Sequence, residues 1–160
     1  MRPELRQRLR TAPRLLFVCS GNMIRSAFAE LYACHRGCPR PVRSAATTYR
    51  NRTIHAEAAR ALLARGVPRD AALAFRPAML DERAPWLGPG AVAFGMTRDH
   101  LVAMRALLAP SVHVHLLAEL RGEPLEISDP LFDGRYDQAF ERIAACVDAL
   151  LDELGDELVL

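Results

Sequence analysis

Apolar residues in this chain gather in short unbroken runs, and between the runs they recur at helical spacing. The runs "RLLFVC" (14–19) and "AVAFGM" (91–96) are too short for helices and do not alternate, so they read as strands buried on both faces. "VRSAAT" (42–47) is a weaker strand and "SVHVHLL" (111–117) a fourth. In "RSAFAELYACHR" the residues Phe28, Leu31 and Tyr32 fall at i, i+3 and i+4 of a helix that "GCPRP" stops. "TIHAEAARALLARG" is a helix closed by Gly66, and "RPAMLDERAPWL" a short one ending before Pro85. Thr97 caps a helix over "TRDHLVAMRALLA" that Pro110 terminates. "LRGEPLEISDPLFDGRY" (120–136) reads as a long loop, followed by an amphipathic helix over 137–155. Residues 1–13 form a polar, arginine-rich arm, frayed or a short helix.

Strands that alternate with helices predict a parallel sheet with helices on both faces. The expected fold is α/β: a three-layer α/β/α sandwich around a four-stranded parallel sheet. One domain over residues 1–160 is expected, with 1–13 as a basic N-terminal extension. In such sheets ligands bind at the carboxyl ends of the strands, near a switch in strand order. Cys19 ends the first strand, which puts it there.

Composition narrows the chemistry. At 51% apolar and 25% charged residues the chain is an ordinary globular one, and a net charge of +2 gives no footing for nucleic acid. All 21 basic residues are arginine, so lysine chemistry is excluded, including the nucleotide-binding G-x-x-x-x-G-K-[ST] loop. No apolar run approaches a membrane span and no signal-peptide core precedes the first strand, so the expected compartment is the cytoplasm. The four cysteines (Cys19, Cys34, Cys38 and Cys146) do not make a disulfide framework in a chain of this length. Cys34, His35 and Cys38 in "CHRGC" lack the second Cys/His pair that a zinc site needs, and no metal or other cofactor is expected.

The chemistry sits in "VCSGNMIRS", where five residues separate Cys19 from Arg25. A loop leaving a strand and entering a helix can curl its N–H groups around an anion, and the helix N-terminus adds a favourable partial charge. Arg25 can fork two hydrogen bonds to a tetrahedral oxyanion. The same donors favour a thiolate on Cys19. A nucleophile and its anion cradle therefore come from one short segment.

That loop resembles the V-C-x-G-N-x-C-R-S loop of the low-molecular-weight protein tyrosine phosphatases, a family that also includes arsenate reductases and bacterial arginine phosphatases. "RSAAT", "AVAFGMTRDHL" and "SDPLFDG" resemble the family's second strand, its third strand and next helix, and its Asp-Pro loop. The resemblance covers about residues 14–154. It implies that the phosphate-binding loop follows the first strand, with Cys19 as nucleophile, Arg25 binding the phosphoryl group and Asp129 as general acid and base. Ser20, Gly21, Asn22, Met23, Ile24 and Ser26 would complete the loop. Ser26 would hydrogen-bond the thiolate, and Asn22 would hold a left-handed turn and bond Ser44 on the second strand. Pro130 would extend the backbone at Asp129 and project it from its loop.

The family's second loop cysteine is Ile24 here, and Ala27 stands where proline is usual. Leu131 and Phe132 follow Pro130 where many members carry aromatic residues. Leu73 takes the histidine position of an H-x-A-R segment, which leaves the Asn22–Ser44 network short of a partner. A wall for a substrate ring is expected from Tyr49, Leu131 and Phe132, with Met23 beside them. Met23 is bulky where arginine phosphatases tend to carry threonine, which disfavours phosphoarginine. Glu126, Asp133 and Asp137 read as solvated or capping carboxylates, and the five histidines as structural.

The resemblance thus implies a monomeric phosphomonoester hydrolase acting on phosphotyrosine proteins or small aryl and alkyl phosphates, with no nucleic-acid or membrane partner. Three alternatives remain: arsenate reduction with an external thiol, hydrolysis of a small phosphorylated metabolite, and a binding module for phosphorylated partners with little turnover.

Overall fold

A computed structural model of the protein describes residues 1–155, so the last five residues of the expected domain lie outside the described ones. The elements run α1 (Pro3–Thr11), β1 (Leu15–Cys19), α2 (Arg25–His35), β2 (Val42–Ala46), α3 (Ala56–Ala64), α4 (Arg69–Ala74), α5 (Leu80–Leu87), β3 (Val92–Gly95), α6 (Arg98–Leu107), β4 (His113–Leu116), a 3-10 helix (Leu117–Arg121), α7 (Pro130–Asp133) and α8 (Tyr136–Gly155). The four strands form one parallel sheet in the order β2-β1-β3-β4. Helices cover both faces, as the strand–helix alternation predicts.

The absence of alternation in β1 follows from this double cover. Leu15, Phe17 and Cys19 point to one apolar cluster, with Leu62 of α3, Phe28 and Tyr32 of α2, and Phe140 and Ile143 of α8. Leu16 and Val18 point to the other, with Leu80 and Leu87 of α5 and Leu101 and Met104 of α6. Both sets must be apolar because successive side chains face opposite layers. Phe28 stacks on Phe140 with ring centroids 4.8 Å apart, which fixes α2, the helix that opens at Arg25, against α8.

Of the two readings of the N-terminal arm the short helix holds, and it is docked: Leu5 and Leu9, four apart on one face, are buried in the cluster that holds α8. The arginines that make it look like a solvated arm line its other face. Other details depart from the sequence pattern. The helix expected to stop before Pro85 runs through it to Leu87, giving up the one backbone bond that the missing N–H would make. α4 is too short to show a period. The expected loop 120–136 holds the end of the 3-10 helix and the single turn α7, capped by the Asp129 side chain. Gly66 does close α3, at φ 90°.

The strand order switches across β1, since α2 carries the chain to β2 on one side and later elements return to β3 on the other. The crevice at that switch lies beyond the carboxyl ends of β1 and β3. Gly95 ends β3 under α6: a Cβ there would stand 2.9 Å from His100 Cβ and 3.0 Å from Met104 Cε. The helix thus packs close enough to bring His100 to the crevice.

Candidate active site

β1 delivers Cys19 to the crevice, residues 20–24 form the loop, and α2 begins at Arg25 with no side-chain cap. Its first turn keeps the donors that an anion would take. Asn22 carries the loop's turn at φ 52°, the left-handed region that Asn tolerates better than most residues. It is fully buried and fully bonded: Nδ2 donates to Ser26 Oγ and to Ser44 Oγ, both at 2.8 Å, and Oδ1 accepts from the Ala78 N–H at 2.9 Å. Ser26 Oγ lies 2.9 Å from Cys19 Sγ. The expected bonds of Ser26 and Asn22 are therefore in place.

The expected shortfall in this network is overturned. Leu73 is 54% exposed on α4 and takes no part. Glu30 supplies the partner instead, accepting from Ser44 Oγ at 2.8 Å. Burial raises the Glu30 carboxyl above its ordinary value, opposed by the Ser44 bond and by Arg83 and Arg43 nearby. Part of the signal was present in sequence: Ser26 and Glu30 lie four apart on one face of α2.

Arg25 is 3% exposed. Its Nη1 donates to the Ile127 carbonyl at 2.8 Å, and its Nη2 stands 3.4 Å from Asp129 Oδ2. Ile127 is tied in turn to the residue after β3, its N–H donating to Met96 O at 2.9 Å. The other Asp129 oxygen accepts from the Leu131 N–H at 3.0 Å, which makes Asp129 the cap of α7, with Pro130 as the first helical residue. The Asp-Pro pair thus fixes a carboxylate beside the arginine. Glu126 and Asp133 do cap, accepting from the Arg98 and Arg135 N–H groups.

His100 also supports the loop, a part that its place in the sequence did not announce. The Thr97 N–H donates to its Nδ1 at 3.0 Å, so the neutral ring carries its proton on Nε2. That Nε2 donates to Ser20 Oγ at 3.0 Å. Burial, with Arg25 adding repulsion, lowers the imidazole from 6.5 to about 4. The one clue in sequence was its position three residues after the helix cap Thr97.

Cys19, Arg25 and Asp129 line one cleft of about 380 Å³. Met23, Tyr49, Leu131 and Phe132 form its apolar sides, so all the residues expected as a substrate wall meet there. Tyr49 and Phe132 are 61% and 82% exposed, which leaves their rings available to a ligand. Ser20, Gly21 and Ile24 also line the cleft, whereas Asn22, Ser26 and Ser44 stand buried behind it. Arg50 and Asn51 complete the rim and were not anticipated. Cys146, by contrast, is buried in α8, and burial pushes its thiol up to about 11.

Fold and loop together define a parallel α/β protein that presents a cysteine at the tip of an inner strand, in a turn that opens a helix. The family is narrower. The low molecular weight phosphotyrosine protein phosphatase family model matches residues 14–159, and the chain belongs to that family. Its activity class is accordingly that of the cysteine-based phosphatases. No curated protein sequence matches the chain closely enough to count as a relative. Solved structures share the fold at low identity. YfkJ from Bacillus subtilis is 19% identical, with 92% of this chain and 97% of that one covered and a TM-score of 0.75. The YwlE arginine phosphatase from Geobacillus stearothermophilus is 22% identical, with 91% and 95% covered and a TM-score of 0.72. The tyrosine phosphatase Wzb from Escherichia coli K30, in complex with sulphate, is 18% identical, with 91% and 100% covered and a TM-score of 0.74.

Proposed function

We propose that this protein hydrolyses phosphotyrosine esters in two metal-independent steps through a cysteinyl-phosphate. The observation that carries this reading is the meeting of Cys19, Arg25 and Asp129 in one cleft with aromatic sides. In the first step the Cys19 thiolate attacks phosphorus. The S–P bond forms, the P–O ester bond breaks, and the carboxyl of Asp129 gives its proton to the departing phenolic oxygen. In the second step Asp129, now a carboxylate, takes a proton from water. That water attacks phosphorus, the S–P bond breaks, and inorganic phosphate leaves.

Arg25 and the loop amides stabilise the equatorial oxygens in both steps, and such electrostatic stabilisation is usually the largest contribution. Ser26 stabilises Cys19 as it departs. Tyr49 and Phe132 hold the aryl ring, which favours phosphotyrosine over phosphoserine, and Met23 narrows the cleft against phosphoarginine. One domain holds every group in the scheme, which supports action as a monomer. A reactive thiolate also fits a reducing compartment, which supports the cytoplasm. No helix of the described residues is long and apolar enough to cross a membrane.

The test is a turnover panel of an aryl phosphate, phosphotyrosine and phosphoserine peptides, phosphoarginine and arsenate, run on the wild type and on Cys19→Ser. Phosphotyrosine and the aryl phosphate should dominate, and Cys19→Ser should lose at least about a hundredfold in rate. A Cys19→Ser protein with more than about a hundredth of the wild-type rate would contradict the mechanism. Preference for phosphoserine, phosphoarginine or arsenate would contradict the substrate.

A further inference from the structure

An anion-binding loop must solve a problem that its catalytic residues do not. For its N–H groups to converge on an oxyanion, its carbonyls must face the other way. A peptide unit that flips would point a negative dipole at the ligand. Here the outward carbonyls are held by one neighbouring segment, residues 47–55. The Thr47 N–H donates to Cys19 O at 2.9 Å. The Thr48 and Tyr49 N–H groups donate to Ser20 O at 3.0 and 2.9 Å, and the His55 N–H to Met23 O at 2.9 Å. Only the Gly21 carbonyl in this set is held by a side chain: Asn51 Nδ2 donates to it at 2.9 Å.

Gly21 and Asn51 are fitted to each other. A Cβ on Gly21 would stand 2.8 Å from Asn51 Nδ2, closer than real Cβ atoms approach. Gly21 does not have a left-handed backbone. Its lack of a side chain is explained by room for the amide.

We infer that segment 47–55 is a clamp that fixes the peptide orientation of the phosphate loop, and that Asn51 is its positioning residue. The inference deepens the proposed function and rests on it. Asn51 acts through the Gly21–Asn22 peptide unit. The same segment supplies Tyr49 and Arg50 to the cleft wall, so substrate contact and loop geometry are set together.

The experiment measures the affinity of inorganic phosphate by calorimetry in the Cys19→Ser background, where turnover plays no part, with and without Asn51→Ala. In the otherwise wild-type enzyme it measures kcat/KM and the rate of Cys19 alkylation by iodoacetamide at a fixed pH. Asn51→Ala should weaken phosphate binding and lower kcat/KM by about tenfold, the effect of one lost hydrogen bond on a preorganised loop. It should also slow alkylation, because thiolate stabilisation is lost with the loop geometry. Gly21→Ala should do the same by displacing the amide. The double variant should be no worse than the worse single one, since Asn51→Ala opens the space that the new methyl needs. Asn51→Ala with phosphate affinity and kcat/KM within about twofold of the parent protein overturns the inference, as does full additivity of the two substitutions. A changed melting temperature with unchanged phosphate affinity shows a merely structural role and overturns it too. Failure of Cys19→Ser itself to bind phosphate overturns the oxyanion reading and the inference together, so the two failures are told apart.

Discussion

Acidification should unfold this protein partly through one imidazole. His100 is buried at 3% exposure, its Nδ1 accepts from the Thr97 N–H, its Nε2 faces Ser20 Oγ, and the Arg25 guanidinium is close enough to repel a second cation. Protonation would put a donor against the Thr97 N–H and a charge beside Arg25. The folded protein therefore resists it down to about pH 4, whereas the unfolded chain takes the proton near 6.5. Between these values the unfolded state binds more protons, so stability rises with pH. The contribution is fully present above about pH 6.5 and is lost as pH falls through 4. From pH 6.5 to pH 5, at about 1.36 kcal/mol per pH unit, the loss is about 2 kcal/mol. With a urea slope of about 2 kcal/mol per molar, the unfolding midpoint should drop by about 1 M.

The assay is urea unfolding at pH 7, 6 and 5, followed by the fluorescence of Trp86, the single tryptophan. Other groups titrate as well. Glu30, raised by burial, works in the opposite sense, since the folded state keeps its proton to a higher pH than the unfolded one. These contributions are common to the wild type and to His100→Gln, which cannot titrate at this position. The quantity that counts is the difference between their pH slopes. If both proteins lose the same stability between pH 7 and pH 5, His100 is not the acid-sensitive group and the account of its burial is wrong.

Asp129→Ala should lower kcat by roughly 10²–10⁴, the usual worth of general acid–base catalysis, and the loss should shrink for substrates with good leaving groups. An equal loss on nitrophenyl and plain phenyl phosphate would show that Asp129 is not the proton donor. Peroxide should inactivate the enzyme without an intramolecular disulfide to Cys19. Cys34 lies nine residues beyond Arg25 on α2, about 14 Å along a helix, against the roughly 7 Å that a disulfide permits between Cα atoms. Mass spectrometry should find the sulfinic form, which thiols do not reverse; a fragment joining Cys19 to another cysteine would refute the helix argument.

The sheet was legible because its signal is simple. β1 and β3 are unbroken apolar runs, and a sheet covered on both faces needs such runs. The loop after β1 was legible because its residues are consecutive. What escaped was of two kinds. α4 and α7 are stabilised by tertiary contacts and caps, and elements of four to six residues carry no period to read. The other omissions concern contacts between residues distant in sequence. His100 reaches Ser20 because Gly95 lets α6 approach β3, and Asn51 reaches Gly21 because the loop after β2 folds back over β1. Spacing along the chain does not encode such approaches. The resemblance to a family misled at one place, Leu73, because it assigned a role to a position when the physical requirement was only an acceptor for the Ser44 hydroxyl.

That requirement orients the Ser44 hydroxyl. The carboxylate of Glu30 can only accept, so the Ser44 hydroxyl must point its proton at it. Ser44 Oγ is then free to receive an N–H from Asn22, whose amide spends its second N–H on Ser26 Oγ. Ser26, receiving there, keeps its own proton to offer, and Cys19 Sγ stands 2.9 Å away. The Ser44 hydroxyl and both N–H groups of Asn22 thus have fixed acceptors, and the Ser26 hydroxyl that ends the series faces the sulfur. A thiolate accepts that bond well and a thiol poorly, which suits the part the proposed mechanism gives to Cys19 as attacking and then leaving group. The Asn22 amide nitrogen can only donate, and the Ala78 N–H fixes its orientation, so Glu30 orients the Ser44 hydroxyl while Asn22 itself orients the bond to Ser26. Arg43 and Arg83, which lower the Glu30 carboxyl against its burial, belong to this arrangement because they help keep its first member an acceptor.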